Sequence, residues 1–180
     1  MSALRLAPQL MTSGWLNAPD DFSIEALKGR VILIEAFQML CPGCVSHGLP
    51  QAQRVASLFS PSDVAVIGLH TVFEHFEAQG SRVALQAFAH EYRLNFPIGM
   101  DEIGTDGAPK TMSAYAMQGT PTLVLIDRNG YRRLQRFGLI EDLNLGAAIQ
   151  SLLGERTQNL DETSATATGS TQDGCALPLK

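Results

Sequence analysis

The sequence predicts an α/β protein in which a central mixed β-sheet carries helices on both faces. Short apolar segments rich in β-branched residues alternate with helical segments early in the chain, and a hairpin followed by a helix comes late. The segment 31-VILIEAF-37 is apolar on both of its alternating faces, which is typical of a strand covered on both sides of a sheet. The 180 residues are 45% hydrophobic and 17% charged, a composition that favours a globular domain with a sizeable core.

Four segments supply the predicted strands. Residues 31–37 and 64–70 are apolar, β-branched runs, and each predicts a buried strand. Residues 95–101 predict a short strand that contains a proline. Residues 122–138 predict a β-hairpin, because 127-DRNG-130 supplies turn-forming residues between two strand-like runs.

Four further segments have the spacing of helices. Residues 44–59 carry apolar side chains at helical intervals, and Gly48 with Pro50 predicts a kink among them. The other helical segments are residues 81–94, 111–117 and 143–154.

The composition changes after residue 154. Residues 1–154 are predicted to form one domain, and residues 155–180 a flexible C-terminal tail, since the tail has too little apolar surface to offset the entropy of ordering. We expect Cys175 in the tail to be a solvent-exposed thiol; the alternative is a resolving or sensing cysteine that reaches Cys41 through the tail.

Charge and hydropathy exclude several classes of function. The net charge is −5 and no run of Lys or Arg occurs, so nucleic-acid binding is not expected. No segment approaches the roughly 18 apolar residues that a membrane span requires, and the N-terminus lacks the apolar core of a signal peptide. We therefore expect a cytoplasmic monomer or weak dimer with no membrane attachment; export stays open if a signal has been removed from the sequence.

The pair 41-CPGC-44 is the strongest functional signal. A redox cysteine reacts as the thiolate and needs surroundings that favour negative charge, such as the unpaired N–H groups at the start of a helix. Pro42 suits a first helical turn and keeps the preceding Cys41 extended at the end of the strand. We predict that Cys41 attacks a disulfide and that Cys44 resolves the resulting mixed disulfide.

Two other interpretations of the pair stay open on the residues alone. His47 completes the spacing Cys41-x-x-Cys44-x-x-His47 and shares a helix face with Cys44, so the three side chains could form a copper or zinc carrier. The cysteines could also be two structural thiols. The redox interpretation is favoured because the second half of a zinc site is missing. We expect no metal, and no cofactor besides the Cys41–Cys44 disulfide itself.

Glu35 is the only charged residue in the buried strand 31–37. Burial of a carboxylate is costly, and such a group usually raises its pKa and takes part in proton transfer. Glu35 precedes Cys41 by six residues, so both belong to the same end of the sheet. We predict that Glu35 exchanges a proton with Cys44 when that thiol attacks the mixed disulfide.

Four features together resemble the thioredoxin superfamily, in particular its TlpA-like thiol–disulfide oxidoreductases and their redoxin relatives. They are 41-CPGC-44 behind a buried strand, the acid Glu35 six positions upstream, the segment 115-YAMQGTPTLVLIDRNG-130, and the pattern 7-APQL…DFSIEALKGRVILIEAF-37, which looks like the hairpin at the start of family domains. The resemblance covers about residues 7–154 and implies a thioredoxin-like fold for the domain 1–154.

The resemblance also implies a substrate site. In the family, the peptide bond before a proline at the position of Pro121 is cis, lies beside the dithiol and pairs with the substrate chain. We therefore assign substrate binding to Thr120, Pro121, Pro42 and Gly43. The implied function is a thiol–disulfide oxidoreductase that reduces or exchanges protein disulfides, with protein substrates and a redox partner that recycles the dithiol.

This sequence departs from the family pattern at several positions. Leu40 stands where the family usually has Trp, and Pro50 comes nine rather than eight residues after Cys41. A peroxiredoxin-like peroxidase, the alternative enzyme, would carry Thr or Ser three residues before the attacking cysteine, but Gln38 stands there.

The loop 68–79 is similar to a segment of some redoxin-type proteins. We expect its two histidines, His70 and His75, to be ordinary loop residues; the alternative is that they border the site.

Overall fold

A buried central strand organises the protein in the computed structural model, which describes residues 4–155. All seven residues of this strand, β3 (Val31–Phe37), are buried. It pairs in parallel with β4 (Val64–His70) on one side and antiparallel with β6 (Thr122–Ile126) on the other. The burial on both faces that the sequence predicted for residues 31–37 is confirmed.

The remaining strands within the described residues are β1 (Arg5–Leu6), β2 (Thr12–Leu16), β5 (Ile98–Asp101) and β7 (Tyr131–Phe137). They complete one mixed sheet in the order β1-β7-β6-β3-β4-β5-β2, in which β3, β4 and β5 run parallel. The predicted hairpin is the pair β6–β7. Its turn is held by Asp127, whose Oδ1 accepts the N–H groups of Asn129 and Tyr131 at 2.9 and 3.0 Å.

Helices cover both faces of this sheet, as predicted. They are α1 (Leu49–Leu58), α2 (Phe76–Gln79), α3 (Arg82–Glu91), α4 (Lys110–Ala114) and α5 (Asp142–Gly154), with a short 3₁₀ helix at Glu25–Leu27. Apolar side chains of α1, α3 and α5 join one core cluster, and those of the 3₁₀ helix and the α4 region join another on the opposite face. Among residues 4–155 no helix is long and apolar enough to cross a bilayer.

The predicted kink after the cysteine pair is a π-helical turn. Helical backbone begins at Pro42, and Cys44–Gly48 form a π-helical segment that leads directly into α1. In an α-helix the N–H of residue 50 would donate to the carbonyl of residue 46. Pro50 has no N–H and cannot form this hydrogen bond, so the wider π turn leaves no N–H group of residue 50 unpaired.

The N-terminal segment does not form the hairpin that the resemblance suggested. β1 pairs with β7 and β2 pairs with β5, so these two strands lie at opposite edges of the sheet. Between them, Met11 exchanges hydrogen bonds with the Thr111 hydroxyl at 2.8 and 3.1 Å, and the Tyr115 hydroxyl donates to the carbonyl of Pro8 at 2.7 Å. The prediction was wrong because these contacts join residues 100 or more positions apart, which no local pattern reports.

The predicted tail, apart from Glu155, lies outside the described residues, and so does Cys175.

Candidate active site

A tight turn, rather than the strand itself, carries the first cysteine. β3 ends at Phe37, and the N–H of Cys41 donates to the carbonyl of Gln38 at 3.2 Å. The expectation that Cys41 extends directly from the strand was therefore wrong. The turn moves Cys41 to the start of the helix while Phe37 stays in the sheet, where its carbonyl accepts the N–H of Thr71 at 3.1 Å.

The two cysteines form a disulfide at the helix N-terminus, with their Cα atoms 5.3 Å apart. Cys44 is fully buried, whereas Cys41 is partly exposed. The N–H of Cys44 points at the Cys41 sulfur at 3.2 Å. An N–H in this position, together with the positive end of the helix dipole, stabilises negative charge on Cys41 when the disulfide is reduced.

The proline loop lies against the dithiol as the resemblance implied. The Thr120–Pro121 peptide bond is cis, and the carbonyl oxygen of Thr120 is 3.6 Å from the Cys41 sulfur. Gly43 faces Pro121 so closely that a Cβ at this position would lie 3.3 Å from the proline Cδ. The four residues that we assigned to substrate binding, Thr120, Pro121, Pro42 and Gly43, therefore lie around one reactive sulfur.

Glu35 lies on the same face of the sheet as the helix that carries Cys44. It is 1% exposed, and its neighbours on the adjacent strands are Gly68 and Leu123. Its carboxyl fills the space beside Gly48, where a Cβ would overlap Oε1. Oε1 has no hydrogen-bond partner among the described residues. Because burial penalises the charged form, the pKa of Glu35 is raised to about 8.

A pair of buried glutamines, which the sequence did not reveal, joins the cysteine turn to the loop before α2. Gln79 donates through Nε2 to Oε1 of Gln38 at 3.2 Å, and its own Oε1 accepts the N–H of Leu40 at 3.0 Å. Oε1 of Gln38 also accepts the N–H groups of Phe73 and Glu74, both at 3.2 Å. The two amides are 41 positions apart in the chain, so no spacing rule would have paired them.

His47 does not join the cysteines. Its side chain is exposed, and its Nδ1 lies 2.9 Å from the Ser46 hydroxyl. No group of three or more His, Cys, Asp or Glu side chains in residues 4–155 is arranged to hold a metal ion. The arrangement of Cys41, Cys44 and His47 therefore gives no support to the metal-carrier alternative.

The two histidines of the expected loop have different environments. His70 belongs to β4, is 2% exposed, and its ring centroid lies 5.3 Å from that of Phe37. Burial lowers the pKa of His70 to about 4, so the side chain is neutral at pH 7. The expectation of an ordinary loop residue was wrong for His70. It holds for His75, which is exposed and precedes α2.

These parts define a thioredoxin-like protein: a disulfide at a helix N-terminus, a cis-proline loop beside it and a buried acid beneath the helix. The sequence model of the Redoxin family matches residues 6–134. The chain belongs to the Redoxin family, within the thioredoxin-like thiol–disulfide oxidoreductases.

Solved structures agree with this assignment. A thioredoxin-like superfamily protein is 52% identical, covers 86% of this chain and 99% of its own, and superimposes with a TM-score of 0.82. A thiol-disulfide isomerase from Corynebacterium glutamicum is 42% identical over 83% of this chain and 98% of its own, with a TM-score of 0.79. A thiol:disulfide interchange protein from Chlorobium tepidum, 20% identical over 86% of this chain and 99% of its own, shares the fold with a TM-score of 0.68. No curated protein matches the chain.

Replacement of Gly48 tests how tightly Glu35 is packed. A Cβ at residue 48 would overlap Glu35 Oε1 and lie 3.2 Å from the Pro121 Cβ, so we expect Gly48→Ala to lower the free energy of unfolding by about 1–3 kcal/mol. Alanine is intrinsically the better helix former by about 1 kcal/mol, so any net loss must come from the overlap. Denaturant unfolding of the oxidised protein measures the change.

Two further variants identify the cause. Gly146→Ala in α5, where a Cβ meets nothing within 4 Å, should be neutral or stabilising. In a Glu35→Ala background the penalty of Gly48→Ala should largely disappear, because the overlapping oxygen is gone. A penalty of the same size in both backgrounds would show that Glu35 is not the neighbour in conflict.

The raised pKa of Glu35 predicts how stability depends on pH. Between the ordinary value of 4.5 and about 8, the folded protein keeps the proton that the unfolded chain releases. The contribution of Glu35 to the free energy of unfolding should therefore fall by a few kcal/mol as the pH rises through this range and level off above it. Glu35→Gln, which cannot ionise, should show a flatter profile.

Unfolding of the oxidised protein between pH 6.5 and 8.5 gives the clearest comparison. The disulfide removes the titrations of Cys41 and Cys44, and His70, with its pKa at about 4, stays neutral in the folded state throughout. Parallel profiles for the wild type and Glu35→Gln would contradict a raised pKa at Glu35.

Proposed function

We propose that the protein reduces or exchanges disulfides of polypeptide substrates through Cys41 and Cys44. The observation that carries this proposal is the difference in exposure between the two sulfurs, since Cys41 is accessible and Cys44 is fully buried. A disulfide of another molecule can therefore reach the Cys41 sulfur, whereas Cys44 can react only with a sulfur inside the protein, such as that of Cys41. The activity of the Corynebacterium glutamicum relative, a thiol-disulfide isomerase, belongs to the same class of chemistry.

The exchange takes place in two balanced steps. The Cys41 thiolate attacks one sulfur of the substrate disulfide, the substrate S–S bond breaks, and the leaving thiolate takes up a proton. Cys44 then loses its proton and attacks the Cys41 sulfur, which releases the second substrate thiol and forms the Cys41–Cys44 disulfide. The substrate gains two electrons and two protons, and the dithiol loses them. The reverse sequence oxidises a substrate dithiol.

The proline loop supports a role in holding the substrate. The carbonyl of Thr120 lies beside the reactive sulfur, where it would meet the backbone of a polypeptide bound across Cys41. Pro42 and Gly43 follow Cys41 in the chain, and Pro121 follows Thr120 and packs against Gly43. We assign these four residues to substrate binding.

Glu35 is suited to handle the proton of Cys44. The carboxyl lies beside Gly48, at the end of the π-helical turn that begins with Cys44. Its pKa of about 8 is close to that of a thiol, so a proton passes between the two groups, directly or through one water, with little change in free energy. Glu35 therefore acts as a base when Cys44 attacks and as an acid in the reverse step.

The surroundings of Gln38 do not favour the peroxidase alternative. Its amide oxygen already accepts the backbone N–H groups of Phe73 and Glu74 and the side-chain amide of Gln79, and the residue lacks the hydroxyl that a peroxide site would use. We propose a second thiol or dithiol protein as the partner that recycles Cys41–Cys44. In a reducing cytosol, the compartment that we propose, the dithiol form would predominate and the protein would act as a reductase.

Trapping of the mixed disulfide tests the order of attack. Cys44→Ser removes the resolving thiol, so a covalent adduct between Cys41 and a disulfide-containing protein should accumulate, and Cys41→Ser should give none. Non-reducing gels with mass spectrometry of a reaction with a defined protein disulfide, such as that of intact insulin, measure both. Adducts at Cys44 in Cys41→Ser, or none with either variant, would reject the proposed roles.

The pH profile of resolution tests Glu35. In the wild type, the rate at which Cys44 attacks the mixed disulfide at Cys41 should rise as Glu35 ionises near pH 8. Glu35→Gln should resolve it about tenfold or more slowly at neutral pH, in the lower range of general base effects, and without that rise. Glu91→Gln, an exposed acid at the end of α3, is the matched control. Equal rates for the wild type and Glu35→Gln would end the proton-transfer assignment.

A further inference from the structure

The cysteine turn and the loop before α2 form one structural unit through two buried amides. Gln38 and Gln79 are 3% and 1% exposed. Between them they bond the N–H of Leu40, the residue that precedes Cys41, and the N–H groups of Phe73 and Glu74. Gln79 also donates to the carbonyl of Glu74 at 2.7 Å. The loop is therefore held at a fixed place beside the turn that leads to Cys41.

This unit presents large apolar side chains to solvent. Leu40, Phe73 and Phe76 are 57%, 40% and 55% exposed. Each belongs to a segment that the two glutamines hold, and Leu40 is adjacent in sequence to the attacking cysteine. Burial of such side chains against a partner is favourable because it removes apolar surface from water. Grouped exposure of this kind marks a surface that contacts another molecule.

Acidic side chains lie among the apolar ones. Glu74 and Glu77 are exposed, and within residues 4–155 neither takes part in an ion pair closer than 4 Å. No Lys or Arg occurs between residues 31 and 53, or between 55 and 81, so with His75 counted as neutral at pH 7 the formal charges of the cysteine turn and this loop are all negative. A partner that brings a basic side chain here gains attraction, and an acidic one is repelled.

We propose that this surface, which we call the 73–77 rim (Leu40, Phe73, Glu74, Phe76 and Glu77), selects the polypeptide whose disulfide Cys41 attacks. The favoured substrate carries a large apolar side chain next to its reacting cysteine and a Lys or Arg beside that. The inference rests on the proposed function and adds the class of polypeptide that the site prefers. Gln79 is a positioning residue, because it holds the loop part of the rim, residues 73–77, next to Leu40 without facing the substrate.

Charge complementarity argues for a basic polypeptide rather than a second copy of this chain. The protein has a net charge of −5, and its rim adds acidic groups at the point of contact, so two copies would meet with like charges. Selection of this kind acts mainly on the rate of encounter, and salt weakens its electrostatic part.

Four short peptides that differ only beside the cysteine provide the test. Each is joined through its cysteine to the chromogenic thiol thionitrobenzoate and carries Leu-Lys, Leu-Glu, Ser-Lys or Ser-Glu as its two neighbouring residues. The second-order rate with the reduced protein is divided by the rate with the symmetrical small disulfide of the same thiol. That ratio removes changes in the intrinsic reactivity of Cys41 and isolates the contribution of the peptide.

The Leu-Lys peptide should react about tenfold faster than the Ser-Glu peptide at low ionic strength, since one apolar contact and one rim charge each change rates a few-fold. Phe76→Ala should remove most of the Leu preference, and the double variant Glu74→Gln/Glu77→Gln most of the Lys preference. High salt should reduce only the Lys preference. Gln79→Ala should weaken both. The exposed controls Leu58→Ala and Glu91→Gln, on other helices, should leave all the ratios as in the wild type.

Each contrary outcome has a definite meaning. Reduction of the small disulfide without discrimination among the peptides would overturn the rim but leave the proposed function standing. Failure to reduce even the small disulfide would overturn both. A concentration-dependent dimer, detected by light scattering and abolished by Phe76→Ala, would overturn the inference by showing that the rim binds a second copy of the chain.

Discussion

The burial of β3 on both faces is the constraint on which the rest of the structure depends. Every side chain of this strand must fit a packed layer. The strand therefore has a fixed position, and it determines where the segment after its C-terminal end begins. It directs Glu35 beneath the helix that carries Cys44 and leads at Phe37 into the cysteine turn. Burial at this position raises the pKa of the Glu35 carboxyl to about 8, which is close to the ordinary pKa of a thiol. The same burial that stabilises the sheet thus tunes the group beside the disulfide.

Two buried titratable groups on neighbouring strands keep this region uncharged over a wide range of pH. The pKa of Glu35 is raised to about 8 and that of His70 lowered to about 4, in both cases because burial disfavours the charged form. Near pH 7 both side chains are mostly neutral. The positive field at the Cys41 sulfur therefore comes from the helix N-terminus and the Cys44 N–H, rather than from a buried ion. Such a field does not change with pH, so in the oxidised protein, whose two active-site cysteines do not titrate, the ionisation of Glu35 is the main local change in charge as the medium becomes alkaline.

The features that could be predicted from the sequence are those with local signals. The apolar run of β3, the turn residues after Ile126, the cysteine spacing and the lone acid at Glu35 each involve neighbours in the chain. The cis bond before Pro121 followed from the resemblance, because the surrounding motif is distinctive. By contrast, the Gln38–Gln79 pair and the placement of β1 and β2 depend on partners far apart in sequence. The turn at residues 38–41 was missed because its hydrogen bond lies in the backbone, which side-chain patterns do not report.

The separation of β1 and β2 to opposite edges of the sheet has a consequence for synthesis on the ribosome. Residues 5–16 are translated before their partners, since β5 begins only at residue 98 and β7 at residue 131. The N-terminal segment therefore cannot pair until most of the domain has been translated. Until it docks, β5 and β7 each have one edge without a neighbouring strand. Contacts of such long sequence separation form slowly, and open sheet flanks invite pairing with other nascent chains. β1 and β2 thus become the two edge strands of the sheet, although they precede all of its inner strands in the chain.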